Sequence, residues 1–306
     1  IRLERDFDDL EALAGYTLTP QVRQVLARVE EGLQPVGTER AFTLTGPYGS
    51  GKSAFALFLA HLLKAPSAQE NLASQLLHAH DPFLAERFAT SLTPGLVPVV
   101  LTLRRAPLAL TLLEGLSRAV KRISSPAARA LARRLEADLA ARVTDTRKVL
   151  EHIEALRDLA ARRGQRGILL ILDELGKTLE YAARHPGEDI YLLQELAEAA
   201  SRSGTQPFLL VGILHQAFEQ YGEHLDLAAR KEWAKVQGRF SDIAFLEPPE
   251  QQMWLAAQAM ASLELGEARG LDRLTAVARA MVDAGYAPRA EEFVALAPQA
   301  YPLHPT

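Results

Sequence analysis

The sequence predicts an α/β fold, with a five-stranded, mainly parallel sheet flanked by helices. Three observations carry that expectation. Five short apolar runs lie along the chain with helical patterns between them: AFTLT at 41–45, LVPVVLTL at 96–103, GILLIL at 167–172, PFLLVGIL at 207–214 and DIAFL at 242–246. Short, uniformly apolar runs suit strands buried on both faces, and their alternation with helices implies right-handed crossovers. A glycine-rich loop stands between the first run and the helix after it, and an acidic pair, Asp173-Glu174, closes the third.

Bulk composition agrees. A chain of 306 residues allows a large domain with a subsidiary one. Hydrophobic residues at 48% against 24% charged belong to a globular protein with a real core. A net charge of −4 gives no global pull toward nucleic acid or anionic membrane, so any such affinity must be local. With no cysteine, disulfides and thiolate metal sites are excluded, and a cytoplasmic location is the natural one. No apolar stretch reaches the about 20 residues a bilayer needs, so no membrane partner is expected. The opening IRLERDFDDL is too charged for a signal peptide. The chain starts without methionine and stops at AYPLHPT, directly after a helical pattern, which reads as a piece of a longer protein.

Along the chain, residues 20–33 predict a helix, with Thr19 as its cap, Pro20 in its first turn, and Val22, Val25, Leu26 and Val29 at helical spacing. Residues 52–64 form an apolar helix after the glycine-rich loop. A polar, helix-like stretch covers 67–90. Pro98 inside the second run argues for an edge strand or an early kink. A helix at 107–121 and a long Arg-rich helical region at about 126–163 read together as a helical insertion over about 106–163. Further helices are expected at 189–203, 248–264 and 271–284. Pro248-Pro249 marks the boundary between a sheet domain, 1–247, and a small α-helical lid, 248–306.

The loop Gly46-Pro47-Tyr48-Gly49-Ser50-Gly51-Lys52-Ser53 fits G-x-x-x-x-G-K-[S/T] without exception. The spacing has a physical reason. A strand must turn sharply into a helix while its backbone N–H groups face one anion. Glycines at 46, 49 and 51 allow the dihedrals and the close approach, and the helix adds its positive end. The expected ligand is a nucleoside triphosphate, ATP, bound by Gly46 through Ala54. Lys52 should reach the β- and γ-phosphates, and the Ser53 hydroxyl should ligate Mg²⁺. This predicts a P-loop NTPase. Asp173, at the carboxyl end of its strand where open α/β sheets bind ligands, is the expected Walker B acid for Mg²⁺. Glu174 is suited to orient or deprotonate the attacking water. Neither N-K-x-D nor L-S-G-G-Q occurs, so a guanine-specific GTPase and an ABC ATPase are disfavoured.

GPYGSGKSAFALFLAHLL, LLILDELGKTLEYAARHP, DIYLLQELAEAA, FLLVGILHQAFEQY, EWAKVQGRF and YPLHP together resemble the N-terminal ATPase domain of large bacterial AAA+/STAND-type proteins. Those are related in layout to origin-recognition ATPases, and the chain looks most like the large ATPases of anti-phage defence islands of the BREX type. The resemblance spans most of 15–306. It implies ATP hydrolysis, a homo-oligomer, and DNA and other defence-system proteins as partners. In the AAA+ arrangement, the strand ending at Leu214 lies between the two Walker strands, and its polar end, His215 or Gln216, contacts the γ-phosphate or the water. AAA+ proteins usually have Asn, Ser or Thr there. Arg239 matches the arginine finger that completes a neighbour's site; the alternative is a local pair with Asp242. Tyr16 and Thr19 fall where an adenine pocket is often built, or are a packed ring and a cap. Arg289 in the lid is a further candidate for the γ-phosphate. A DNA-loading ATPase of the origin-recognition kind, or a nucleotide-gated module with little turnover, are the alternative functions.

Between residues 118 and 166, thirteen Lys/Arg face six acidic residues, a net +7 that leaves −11 on the remainder. The segment reads either as a DNA-phosphate or protein-docking surface or as a solvated helical face.

Overall fold

Each apolar run forms a strand, and every strand pair is parallel. The computed structural model describes residues 2–9, 11–34, 37, 39–67, 71–185, 189–248, 251–255, 271–286 and 290–300. Strands β1 (Ala41–Thr45), β2 (Leu96–Thr102), β3 (Gly167–Asp173), β4 (Phe208–Leu214) and β5 (Ser241–Ala244) form one sheet in the order β2-β3-β4-β1-β5. Strands β3 and β4 are buried along their whole length, as expected of central strands covered on both faces. Strand β2 is at the edge, where the missing N–H of Pro98 removes no bond from a central ladder.

The helices of this part are α1 (Leu3–Asp6), α2 (Pro20–Leu33), α3 (Lys52–Lys64), α4 (Leu72–His80), α5 (Pro82–Leu92), α6 (Leu108–Lys121), α7 (Pro126–Ala140), α8 (Thr146–Arg162), α9 (Leu175–Arg184), α10 (Asp189–Ser201) and α11 (Leu227–Gln237). A short 3₁₀ helix spans Phe218–Gly222. The stretch read as one helical region at 67–90 is two helices, because Asp81 caps a fresh start at Pro82 by accepting from Leu84 N–H. The Arg-rich region also divides. Arg142 takes a positive φ of 53°, and Asp145 caps α8 through Lys148 N–H. Apolar residues of α6, α7 and α8, among them Leu116, Leu135 and Ile153, belong to the same buried core as β3 and β4.

The chain divides into two units: residues 1–14 with 22–245, and residues 15–21 with 246–306. In the second, α12 (Leu271–Asp283), α13 (Ala290–Leu296) and a 3₁₀ turn at Ala297–Ala300 share a small core of Ala278, Phe293 and Ala297. The Thr19 hydroxyl donates to the Glu247 carboxylate there. Burial raises the Tyr16 phenol above its usual range, and the Glu247 charge adds to the effect. Of the helix expected over 248–264, residues 251–255 are helical and 249, 250 and 256–264 lie outside the described residues, as do Arg289 and YPLHP. Among the described residues no helix is long and apolar enough to cross a membrane.

One buried cation ties the lower end of the sheet together. Arg40, fully buried, enters β1. Its guanidinium donates to the carbonyls of Gly32, Gln34 and Gly204 and to the Ser203 hydroxyl, at 2.6–2.9 Å. It thereby joins the end of α2 to the turn before β4. Burial, then the charge of Arg157, lowers its pKa. Arg40→Met removes the guanidinium donor from the Gly32, Gln34 and Gly204 carbonyls, of which Gln34 keeps the Gly37 N–H, and should cost about 3 kcal/mol in urea unfolding of the protein.

His61, buried on α3, has its pKa lowered by burial first and by Lys64 second. Its folded-state pKa lies below the unfolded 6.5, so the unfolded chain takes up a proton first as pH falls. Stability present above that value is lost on the acid side. His61→Leu should make this loss shallower, read from urea midpoints at about pH 7 and about pH 5.

Candidate functional site

The register of the sheet sets where the candidate residues meet. Thr45 is level with Leu214, and Leu172 is level with Gly212. The loop after β1, the acidic pair after β3 and His215 after β4 therefore emerge side by side. Strand β4 lies between β1 and β3, the position expected of the strand that carries His215.

The loop begins with Gly46 N–H donating to Leu214 O at 3.2 Å, so β1 and the end of β4 stay joined into the turn. Gly46 is obligatory, since a Cβ there would stand 2.4 Å from Phe245 O. Gly49 and Gly51 take φ of +82° and +90°, which strain any side chain. Gly51 precedes α3 and has no side chain to cap it, so the first N–H groups of that helix are left for an anion or water. Lys52 is buried. Its Nζ donates to Gly46 O and Pro47 O at 2.7 Å and to Ser50 Oγ at 3.1 Å. Burial lowers its pKa, while the charges of Asp173 and Glu174 oppose that. A buried ammonium facing two carboxylates, with only neutral acceptors in hand, fits a phosphate oxygen well.

Ser53 Oγ stands 3.4 and 3.5 Å from the two oxygens of Asp173. That exceeds a good hydroxyl–carboxylate bond and suits two oxygens sharing a cation. Asp173 is buried, and burial, the largest cause, raises its pKa; Glu174 N–H, at 2.9 Å from Oδ1, opposes. Among the described residues no three His, Asp or Glu side chains gather as a metal cage. Ser53 and Asp173 would therefore hold Mg²⁺ only together with phosphate and water, which is how that ion is commonly bound.

Glu174 takes a left-handed conformation, φ 59° and ψ 35°, rare for a non-glycine residue. Its cause lies next door. The chain must turn at once so that Leu175 is buried over Gly212 of β4, where a Cβ would be 2.6 Å from Leu175 Cδ2. The Glu174 carboxylate then lies 3.2 Å from His215 Nε2 and 3.5 Å from Lys177 Nζ. Gly176 leaves room for Tyr221, whose hydroxyl would be 2.3 Å from an added Cβ. Tyr221 also faces the backbone amides of His215 and Gln216, and burial raises its pKa. Tyr221 thus locks the tip of β3–α9 to the tip of β4. Sequence reading missed Lys177, Gly176, Gly212 and Tyr221 as parts of the site; the only signal was two glycines beside apolar strand positions.

Lys52, Ser53, Asp173, Glu174 and His215 come together. Arg239 does not join them. Its guanidinium lies 3.2 Å from Glu198, which also pairs with Arg202 at 2.7 Å. Asp242, the partner weighed from sequence, instead accepts from the Thr43 and Thr45 hydroxyls at 2.6 Å. Of the basic segment, Arg118, Lys121, Arg122, Arg147, Lys148 and Arg157 pair with carboxylates. Arg133, Arg134, Arg162 and Arg163 are exposed and make no ion pair among the described residues.

A strand–loop–helix of this form in a five-stranded parallel sheet, with an acidic strand end beside it, is the α/β fold of the P-loop NTPases. Two solved structures of the Aeropyrum pernix ORC2 protein are similar to the chain. For the ADPNP–ADP complexes the identity is 14% and the TM-score 0.44, covering 96% of this chain and 71% of that one. For the ADP form the values are 16% and 0.41, covering 99% and 73%. No family model matches the chain, and no curated protein matches it.

Gly176→Ala should displace Tyr221 and lower stability by about 1–3 kcal/mol, read by thermal melting. Adding Tyr221→Leu should recover part of that loss.

Proposed function

We propose that this chain is an ATP-binding and ATP-hydrolysing module of the AAA+ type. The observation that carries the reading is the convergence of Lys52, Ser53, Asp173, Glu174 and His215 at one end of the sheet. Lys52 exchanges its carbonyl partners for β- and γ-phosphate oxygens. Ser53 and Asp173 would hold Mg²⁺, which would supply positive charge against the phosphate. Glu174 accepts a proton from the attacking water as its oxygen bonds to the γ-phosphorus and the bond to ADP breaks. His215 sits against Glu174 and steadies its carboxylate.

The strand order, with β4 between the two Walker strands, supports the AAA+ assignment. Arg239 is the candidate finger for a neighbouring copy. It is half-exposed, and Glu198 keeps Arg202 when Arg239 leaves, so releasing it costs about 0–1 kcal/mol. The resemblance of the HQAFEQY and EWAKVQGRF segments to BREX-type defence ATPases supports work as a switch or motor in a DNA-related defence complex. The unpaired Arg133, Arg134, Arg162 and Arg163 are the surface offered to DNA phosphates.

Lys52→Ala should abolish ATP binding in a fluorescent-nucleotide titration. Glu174→Gln should keep binding and slow hydrolysis by about 100-fold or more. Turnover of Glu174→Gln at the unaltered rate would overturn the assignment. Mixing Arg239→Ala chains with Lys52→Ala chains should restore part of the activity that each lacks alone, as a finger acting between copies requires.

A further inference from the structure

Tyr48, in the middle of the phosphate loop, is 75% exposed, yet its ring lies on the His215 imidazole. The centroids are 3.6 Å apart and the planes 20° from parallel. His215 in turn has Nε2 3.2 Å from the Glu174 carboxylate. Neither of its buried ring nitrogens has an aligned hydrogen-bond partner among the described residues. No hydrogen bond therefore sets the plane of the imidazole. The stack does, since two rings face to face leave little freedom about the imidazole's side-chain torsions.

Tyr48 is also linked to the phosphate end of the loop. Lys52 Nζ holds the carbonyls of Gly46 and Pro47, the two residues before Tyr48. Gly49 follows with φ +82° and open space where a Cβ would stand. The ring is thus carried on a turn that the phosphate-binding lysine holds on both sides, through the Gly46 and Pro47 carbonyls before it and the Ser50 hydroxyl after it.

We propose that Tyr48 is a positioning residue: its ring fixes the plane of His215, which orients the Glu174 carboxylate, so that the state of the phosphate loop is passed to the group that handles the water. The inference rests on the ATP-hydrolysis reading above and adds a route within it. Tyr48 touches no reacting atom; it acts through His215.

The test joins kinetics with NMR of the His215 side chain, using a non-hydrolysable ATP analogue as probe. Tyr48→Ala should lower kcat about fivefold or more, with the loss falling on kcat rather than on analogue affinity. It should also shift the His215 carbon-bound proton resonances, which the Tyr48 ring current displaces. Tyr48→Phe, which keeps the ring, should rescue both. In a His215→Gln background, Tyr48→Ala should have no further effect on kcat. Binding of the analogue to the unaltered protein should move the His215 resonances. An unchanged kcat in Tyr48→Ala, an equal loss in both backgrounds, or His215 resonances unmoved by a bound analogue would each overturn the proposal while leaving ATP hydrolysis intact. Failure of the unaltered protein to bind the analogue would overturn the site reading itself, and this inference with it.

Discussion

The site depends on the register of three parallel strands, β1, β4 and β3. A slip of one residue reverses the face of every side chain and moves each strand end by about 3.3 Å. Such a slip would separate the loop at Gly46 from Leu214 and carry Asp173 away from Ser53. The strands themselves do little to prevent it. β3 and β4 are apolar on both faces, so no in–out alternation tells one register from the next. Shape and polar bonding do so instead. Leu175 fits over Gly212, and the carbonyl of Pro207 lies where a Cβ on Gly167 would stand. At the lower end, Arg40 accepts Leu210 N–H at its own carbonyl while its guanidinium gathers three others.

These devices explain what could be read from the chain and what could not. The strands and the phosphate loop are local signals: a short apolar run, then glycines and a lysine at set spacing. Asp173, Glu174 and His215 sit one or two positions beyond such a run, and Lys52 and Ser53 close the glycine-rich loop after one, so all five were legible with the strands. Helix α9 was not, because it starts in the acidic pair itself, after a left-handed Glu174 that no propensity favours. The break between α7 and α8 was hidden in a stretch rich in good helix formers, where Arg142 rather than a glycine supplies the positive φ. Glu198 was also out of reach as the partner of Arg239, for it lies forty-one positions earlier on another helix, while Asp242 is three away.

Charge in the helical segment at 118–166 follows the same division between near and far. Two of its cations are paired with acids distant in sequence, Arg118 with Glu4 and Arg122 with Asp8, both on the amino-terminal segment. A count along the chain overstates the field that segment presents, since it cannot see those partners. Among the described residues, those without an ion pair are Arg129, Arg133 and Arg134 on α7, Arg142 after it, Arg162 and Arg163 at the end of α8, and Arg166 before β3.

The edge strand β2 has one more effect. Pro98 offers no N–H, and α1 packs against this strand. At the opposite margin β5 has only four residues. An incoming strand thus finds a blocked rail on one side and a stub on the other. Lengthening of the sheet into a continuous ribbon, edge to edge, is thereby disfavoured at both margins.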